Sequence, residues 1–308
     1  MSVTSGLPAA AQIPSITAAA PEAAAWLQAA WDTAHRSVDP ARLETIQRYV
    51  AAGLGTEAGA RDGSAGQDAA GTPEAVALAE LANQFTRNVA DRRPALVAVL
   101  TERLGRRGTR DLIEAMYVFD QTARLGIGHG RLFRPDEFEA SPAQPPATAP
   151  MSTIGEANAG FHHAVMRLDR MDLATTEIVR LRAGRYHDCR NCCSLRLVQD
   201  GVPLVAEPLA ARIPDYQNDA AFTPAQRAAL RYADAHMTDP GRIDVALADE
   251  LRAHYTPAQI VELSLDVSAW NYQKVLVALD LDRPASPDGL TGVVINPDGT
   301  MTRQTLLL

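Results

Sequence analysis

Four times in this chain a residue with a side-chain oxygen stands directly before a proline, at the head of apolar residues spaced three and four apart. These are Asp39-Pro40, Thr72-Pro73, Thr223-Pro224 and Thr256-Pro257. Such an oxygen accepts from the free N–H groups of a first helical turn. Proline lacks an N–H and is preset near the helical φ, so it suits the position that follows. The runs behind these signals keep one helical face apolar: Leu43, Ile46, Val50 and Leu54 after the first, and Val76, Leu78, Leu81 and Phe85 after the second. Further helices are predicted over 21–37, 94–104, 109–125 with Gly126 as the stop, 154–168, 174–186, 189–199 and 243–254, and the Thr256-Pro257 helix is expected to run to Leu279. A chain punctuated this way buries helix against helix, so the expected class is all-α.

The stretches between helices set the organisation. Residues 1–20 are rich in alanine and proline and read as a flexible arm; no basic residue precedes an apolar run, so no signal peptide is expected. Residues 55–71 read as a loop, and 134–150, with five prolines, as a linker. The flanking halves echo one another, Thr72-Pro73 against Thr223-Pro224 and Thr109 to Glu114 against Thr256 to Val261. A degenerate tandem duplication is the reading: a cysteine-free unit over 21–133 and an equipped one over 151–283. In the tail, 284–308, the run Gly292 to Ile295 leads into Pro297-Asp298-Gly299, a short hairpin or an arm onto another subunit.

Charge narrows the function classes. With 29 basic and 37 acidic residues the net charge is −8, which argues against a broad phosphate-binding face and so against nucleic acid. No run of uncharged apolar residues is long enough to span a bilayer. Three cysteines, all between 189 and 193, do not make a secreted disulfide framework and suit a cytoplasmic dithiol. A structural zinc site would need a second ligand pair, and none is present, so no metal and no organic cofactor is expected.

The chemistry concentrates in Cys189-Arg190-Asn191-Cys192. A thiol attacks as thiolate, which a helix start or a nearby cation favours. Asp188 is the expected N-cap, with Cys189 in the first turn, Cys192 just beyond it and Arg196 one turn further on the same face. If the helices on either side form a hairpin, Glu177 and Arg196 meet, which gives a chain from Glu177 to Arg196 to Cys192. His187 and Asn191 are neighbours of this site. Cys193 points elsewhere, Trp270, Asn271 and Tyr272 read as core, and His162 and His163 read as an ordinary, partly exposed helix face.

Glu177, eleven residues, Cys189, two residues, Cys192 resembles the motif of alkyl hydroperoxidase D-like members of the carboxymuconolactone decarboxylase family. Ile178 to Arg182 and Thr256 to Leu263, followed by Ala269-Trp270-Asn271, are similar to helices of that family, and the likeness covers roughly 150–282. The resemblance implies an all-helical homo-oligomer that reduces hydroperoxides. Cys192 would attack the peroxide, Cys189 would close the disulfide, Glu177 would serve a proton relay, and an external dithiol or thioredoxin-like protein would restore the thiols. The chain departs from the family where Arg196 and Asn191 replace histidines. Arginine stays protonated and cannot act as a base, which leaves that role to Glu177, water or His187. Two other readings stand beside this one: a lyase or isomerase that holds a small carboxylate through Arg196, and a non-catalytic helical oligomer.

Overall fold

The structure, a computed structural model, describes residues 12–56, 71–139, 152–286, 289–304 and 306. Three expectations therefore fall outside it: the first half of the N-terminal arm, most of the 55–71 loop, and the linker beyond residue 139. The described chain is mostly helical, with one small four-stranded sheet.

The start signals work as the local chemistry requires. Asp39 Oδ1 accepts from the N–H groups of Ala41 and Arg42 and opens α3 (Pro40–Gly53). Thr72 caps α4 (Pro73–Arg87). Thr223 with Gln226, and Thr256 with Gln259, form reciprocal capping boxes that open α10 (Pro224–Thr238) and α12 (Pro257–Trp270). The remaining helices are α1 (Pro14–Ala19), α2 (Pro21–Ser37), α5 (Pro94–Leu132), α6 (Ile154–Met166), α7 (Leu173–Tyr186), α8 (Arg190–Ser194), α9 (Glu207–Ala210), α11 (Val245–His254) and α13 (Gln273–Ala278).

Several boundaries differ from expectation. The two helices predicted over 94–125 are joined as α5 across a kink at Gly105, whose φ of 70° suits a residue without a Cβ. Gly126 does not end α5, because Gly128, His129 and Leu132 beyond it are buried and packing holds the helix together. The helix from Thr256 ends at Trp270, and a turn at Asn271 and Tyr272 separates it from α13. The described end of the expected flexible arm is docked, with Ile13 and Ile16 buried in the same cluster as Leu125 and Phe133.

The all-α expectation is corrected by the sheet. Four strands lie in the order β2-β1-β3-β4: β1 (Leu195–Gln199), β2 (Val202–Pro203), β3 (Thr291–Ile295) and β4 (Met301–Gln304). The tail forms the expected hairpin of β3 and β4 and adds it to β1, in parallel, with Leu195 opposite Thr291 and Leu197 opposite Val293. The predicted helix over 189–199 is therefore α8 and β1 instead. Pairing with a strand distant in sequence outweighs a helical pattern that was only local.

The two sequence halves share their cores. One cluster joins Ile46, Phe85, Ile113 and Phe119 from the first half to Ile154, Val275 and both Cys189 and Cys192 from the second. The dithiol turn thus rests on helices from both halves, while β1 and the tail hairpin form its other side. Among the described residues, no helix is long and apolar enough to cross a membrane.

Candidate functional site

At the end of α7 the chain turns through Asp188, whose φ is 51°, into the short helix α8. The N-cap is Cys189 and not Asp188: its Sγ accepts from the N–H of Cys192 at 3.3 Å. Cys189 and Cys192 form a disulfide, and Cys193 is a free, half-buried thiol whose pKa is raised by burial. Gly184 makes room for this turn. A Cβ there would sit 3.4 Å from Cys192 Cβ, 3.5 Å from Gln273 Oε1 and 3.6 Å from Cys193 Sγ, so anything larger than a methyl group would enter the space beside the dithiol.

The turn is clamped from outside by the segment after α13. Asp282, fully buried, accepts from Arg190 N at 2.9 Å and from the guanidinium groups of Arg190 and Arg92 at 2.7 to 3.2 Å. These arginines hold its carboxyl well below the ordinary carboxylate range, against the opposing effect of burial. Asp282 O accepts from Asn191 N at 2.7 Å, and Ala285 N donates to Ser194 Oγ at 3.1 Å. The conformation of α8 is thereby fixed at both ends by one strap of backbone and carboxylate.

Glu177 does not meet Arg196. It is fully buried and pairs with Arg180 one turn along α7, accepting from Arg180 Nη2 at 2.8 Å and from Leu197 N at 3.1 Å. Arg180 then donates to the carbonyl oxygens of Cys192 at 2.9 Å and Leu195 at 2.7 Å. The link from Glu177 to the dithiol exists, but through Arg180 and the backbone of Cys192. Arg196 lies on β1, off the Cys192 helix face. It pairs with Glu207 and donates to the carbonyls of Cys193 and Leu195. Its cation is thus already engaged, and a role in gripping a substrate carboxylate has no support in the geometry.

Cys192 forms part of the wall of a cavity of about 110 Å³. Its apolar walls come from Leu195 and Leu197 of β1, Ala269 of α12, Leu276 of α13, Val293 of β3 and Met301 of β4. His162, Arg180, Asn191, Trp270, Tyr272 and Gln273 supply the polar groups. Cys189 is completely buried and Cys192 is 5% exposed, and of the pair it is Cys192 that lines the cavity.

Three residues read from sequence as ordinary helix surface or core therefore belong to the site: His162, Trp270 and Tyr272. His162 stacks edge-on against Trp270 with ring centroids 5.1 Å apart, and burial foremost, then His163, lowers its pKa to about 4. It is a neutral imidazole at physiological pH. Trp270 also lies under the Arg180 guanidinium, 5.8 Å from the ring centre. The signal for Arg180 was present in the sequence, three residues after Glu177 on the same helix face. His162 and Trp270 carried no such signal, since they meet only through the packing of α6 against α12.

His187, expected near the site, does not line the cavity. Its Nε2 donates to Asn271 Oδ1 at 2.9 Å and its pKa is lowered to about 3, mainly by burial. Asn271 donates to Gln121, Gln121 to Asp120, and Asp120 also pairs with Arg124 and Lys274. His187 thus ends a buried polar network whose members do not line the cavity. Asn191 does reach the cavity. Among the described residues, no cluster of three or more histidine, cysteine or carboxylate side chains is arranged to hold a metal.

No family model matches the chain, and no solved structure matches it. Two uncharacterized proteins from two strains of Mycobacterium tuberculosis are each 31% identical to it over 229 residues, which is 74% of this chain and 80% of theirs.

Proposed function

This chain belongs to one family with the two uncharacterized Mycobacterium tuberculosis proteins, and from the site itself we propose that it is a dithiol oxidoreductase that reduces hydroperoxides. The observation that carries the reading is the disulfide-forming pair Cys189 and Cys192, of which Cys192 lines a largely apolar pocket.

In the reaction, the Cys192 thiolate attacks the outer oxygen of ROOH. The O–O bond breaks, Cys192 becomes a sulfenic acid, and the leaving alkoxide takes a proton to give ROH. The Cys189 sulfur then attacks Cys192, forming the S–S bond and releasing water. An external dithiol returns both cysteines to thiols and is itself oxidised to a disulfide. The proton from the Cys192 thiol passes to the leaving oxygen through His162 or water, His162 being the neutral imidazole on the same wall. Glu177, in this scheme, holds Arg180 and with it the backbone of Cys192, and Arg196 fixes the start of β1.

The similarity of the cysteine motif to alkyl hydroperoxidase D-like proteins supports the same reading, as does the echo between 21–133 and 151–283, which we read as two copies of one helical unit. With it go a thioredoxin-like or smaller external reductant, a cytoplasmic setting and assembly as a homo-oligomer.

A trapping experiment tests the proposal. In reduced Cys189→Ser, one equivalent of tert-butyl hydroperoxide should leave Cys192 as a sulfenic acid that dimedone captures, and Cys192→Ser should capture nothing and show no turnover. Equal dimedone labelling of the two variants, or full turnover by Cys192→Ser, would overturn it.

A further inference from the structure

Of the three clustered cysteines, Cys193 is the most accessible. It is a half-buried free thiol, whereas Cys189 is completely buried and Cys192 is 5% exposed. It also stands outside the pocket that Cys192 lines. Thiol–disulfide exchange needs the attacking sulfur to reach a disulfide sulfur directly, so its rate depends on access. The Cys189–Cys192 bond offers little of that to a reductant arriving from solvent. A free thiol in the same turn, open to solvent and within reach of one of the two sulfurs, supplies it.

Local geometry decides which sulfur. Cys193 N donates to Cys189 O at 3.0 Å, so the two residues lie one helical turn apart on the same side of α8. A helical i, i+4 pair has Cα atoms about 6 Å apart, inside the range of about 4.4–6.8 Å that a disulfide spans, whereas chain neighbours at about 3.8 Å fall outside it. Cys189 is therefore the partner that Cys193 can bond, and Cys192 is not. The free thiol and the disulfide also share one space against α7: a Cβ on Gly184 would lie 3.4 Å from Cys192 Cβ and 3.6 Å from Cys193 Sγ. Burial raises the pKa of Cys193 most; Arg185, Arg180 and Arg196 oppose that, and Asp188 adds to it. The three cations stabilise the thiolate through which exchange proceeds.

We propose that Cys193 is the exchange thiol through which reducing electrons enter the site, leaving the pocket to the substrate of Cys192. The Cys193 thiolate attacks Cys189 Sγ. The Cys189–Cys192 bond breaks, Cys192 leaves as a thiolate, and a Cys189–Cys193 bond forms. An external dithiol then attacks Cys193 Sγ and releases Cys189, which takes up a proton. The second thiol of the reductant attacks the mixed disulfide, frees Cys193 and leaves the reductant as a disulfide. Two electrons have passed to Cys189 and Cys192, and Cys193 ends as it began. At rest the Cys189–Cys192 bond is the one held. What Cys192 does next rests on the dithiol reading above; the exchange itself needs only the disulfide.

Reduction without any hydroperoxide tests the exchange alone. Oxidised protein is mixed with dithiothreitol, samples are quenched in acid and alkylated, and peptide mass mapping follows the return of Cys189 and Cys192 to thiols. Cys193→Ser and Cys193→Ala leave the disulfide with no neighbouring thiol and should be reduced at least about tenfold more slowly than the native protein. In Cys192→Ser, the oxidant diamide should join Cys189 to Cys193, the bond of the exchange intermediate. Native reduction rates in the Cys193 variants, or Cys189 and Cys193 left unjoined by diamide in Cys192→Ser, overturn the inference. Slow reduction of the Cys193 variants in a protein that never consumes tert-butyl hydroperoxide supports the exchange and overturns only the peroxidase reading.

Discussion

Replacing Arg180 by methionine removes the cation that joins Glu177 to the dithiol turn while keeping an unbranched stem of similar length. The consequences follow from the contacts. Glu177 is fully buried and Arg180 is 4% exposed at its side chain, so solvent cannot take over the lost interaction. Breaking a buried pair by removing one partner costs about 3–5 kcal/mol, because the other charge remains uncompensated. Here the carbonyls of Cys192 and Leu195 lose a donor as well, which places Arg180→Met in the upper part of that range. Glu177→Leu should cost a similar amount and also strand the Leu197 N–H. The double variant removes both charges at once, so its loss should fall short of the summed single losses by at least about 2 kcal/mol. Urea unfolding followed by tryptophan fluorescence gives the three values. A loss under about 1 kcal/mol for Arg180→Met, or strict additivity, would refute the claim that this pair anchors the site, since uncoupled, solvent-compensated charges behave that way.

Two further outcomes follow from the same contacts. Asp282→Asn removes the carboxylate that holds Arg190, Arg92 and the first N–H of α8; amide exchange over residues 190–194 should quicken at least tenfold while α10 exchanges as before, and unchanged protection would contradict the strap. Burial lowers the pKa of His129 from 6.5 to about 3. Its folded pKa lies below the unfolded one, so the stability it contributes is present above pH 6.5 and is lost as pH falls toward 3; in that window His129→Gln should flatten the slope of unfolding free energy by up to about 1.4 kcal/mol per pH unit, and an unaltered slope would show that the ring is accessible to protons.

The helices were legible because their signals are local. An oxygen before a proline caps its own first turn, and α3, α4, α10 and α12 begin where those pairs stand. The strand β1 was not, because what makes Leu195 to Gln199 extended is the partner strand Thr291 to Ile295 near the other end of the chain. That single error carried the relay with it. With the helix continued to residue 199, Arg196 lies one turn beyond Cys192; in the strand it turns to Glu207, and Arg180 takes its place beside Glu177. The cysteine pair itself needed no tertiary information, since three residues of spacing suffice to close it. Its pocket did: Trp270, Gln273, His162 and Val293 come from four separate elements, and nothing in their local sequence announces that they share a wall.

The central claim is that Cys189 and Cys192 pass electrons to a hydroperoxide bound beside Cys192. The most direct measurement is a single turnover: reduced protein receives one equivalent of tert-butyl hydroperoxide, and the products are counted by peptide mass mapping and by the alcohol released. One equivalent of tert-butanol should appear with the loss of two hydrogens from the protein, a disulfide between Cys189 and Cys192, and Cys193 still a free thiol. Persistence of the hydroperoxide with both cysteines fully open to alkylation would contradict the claim.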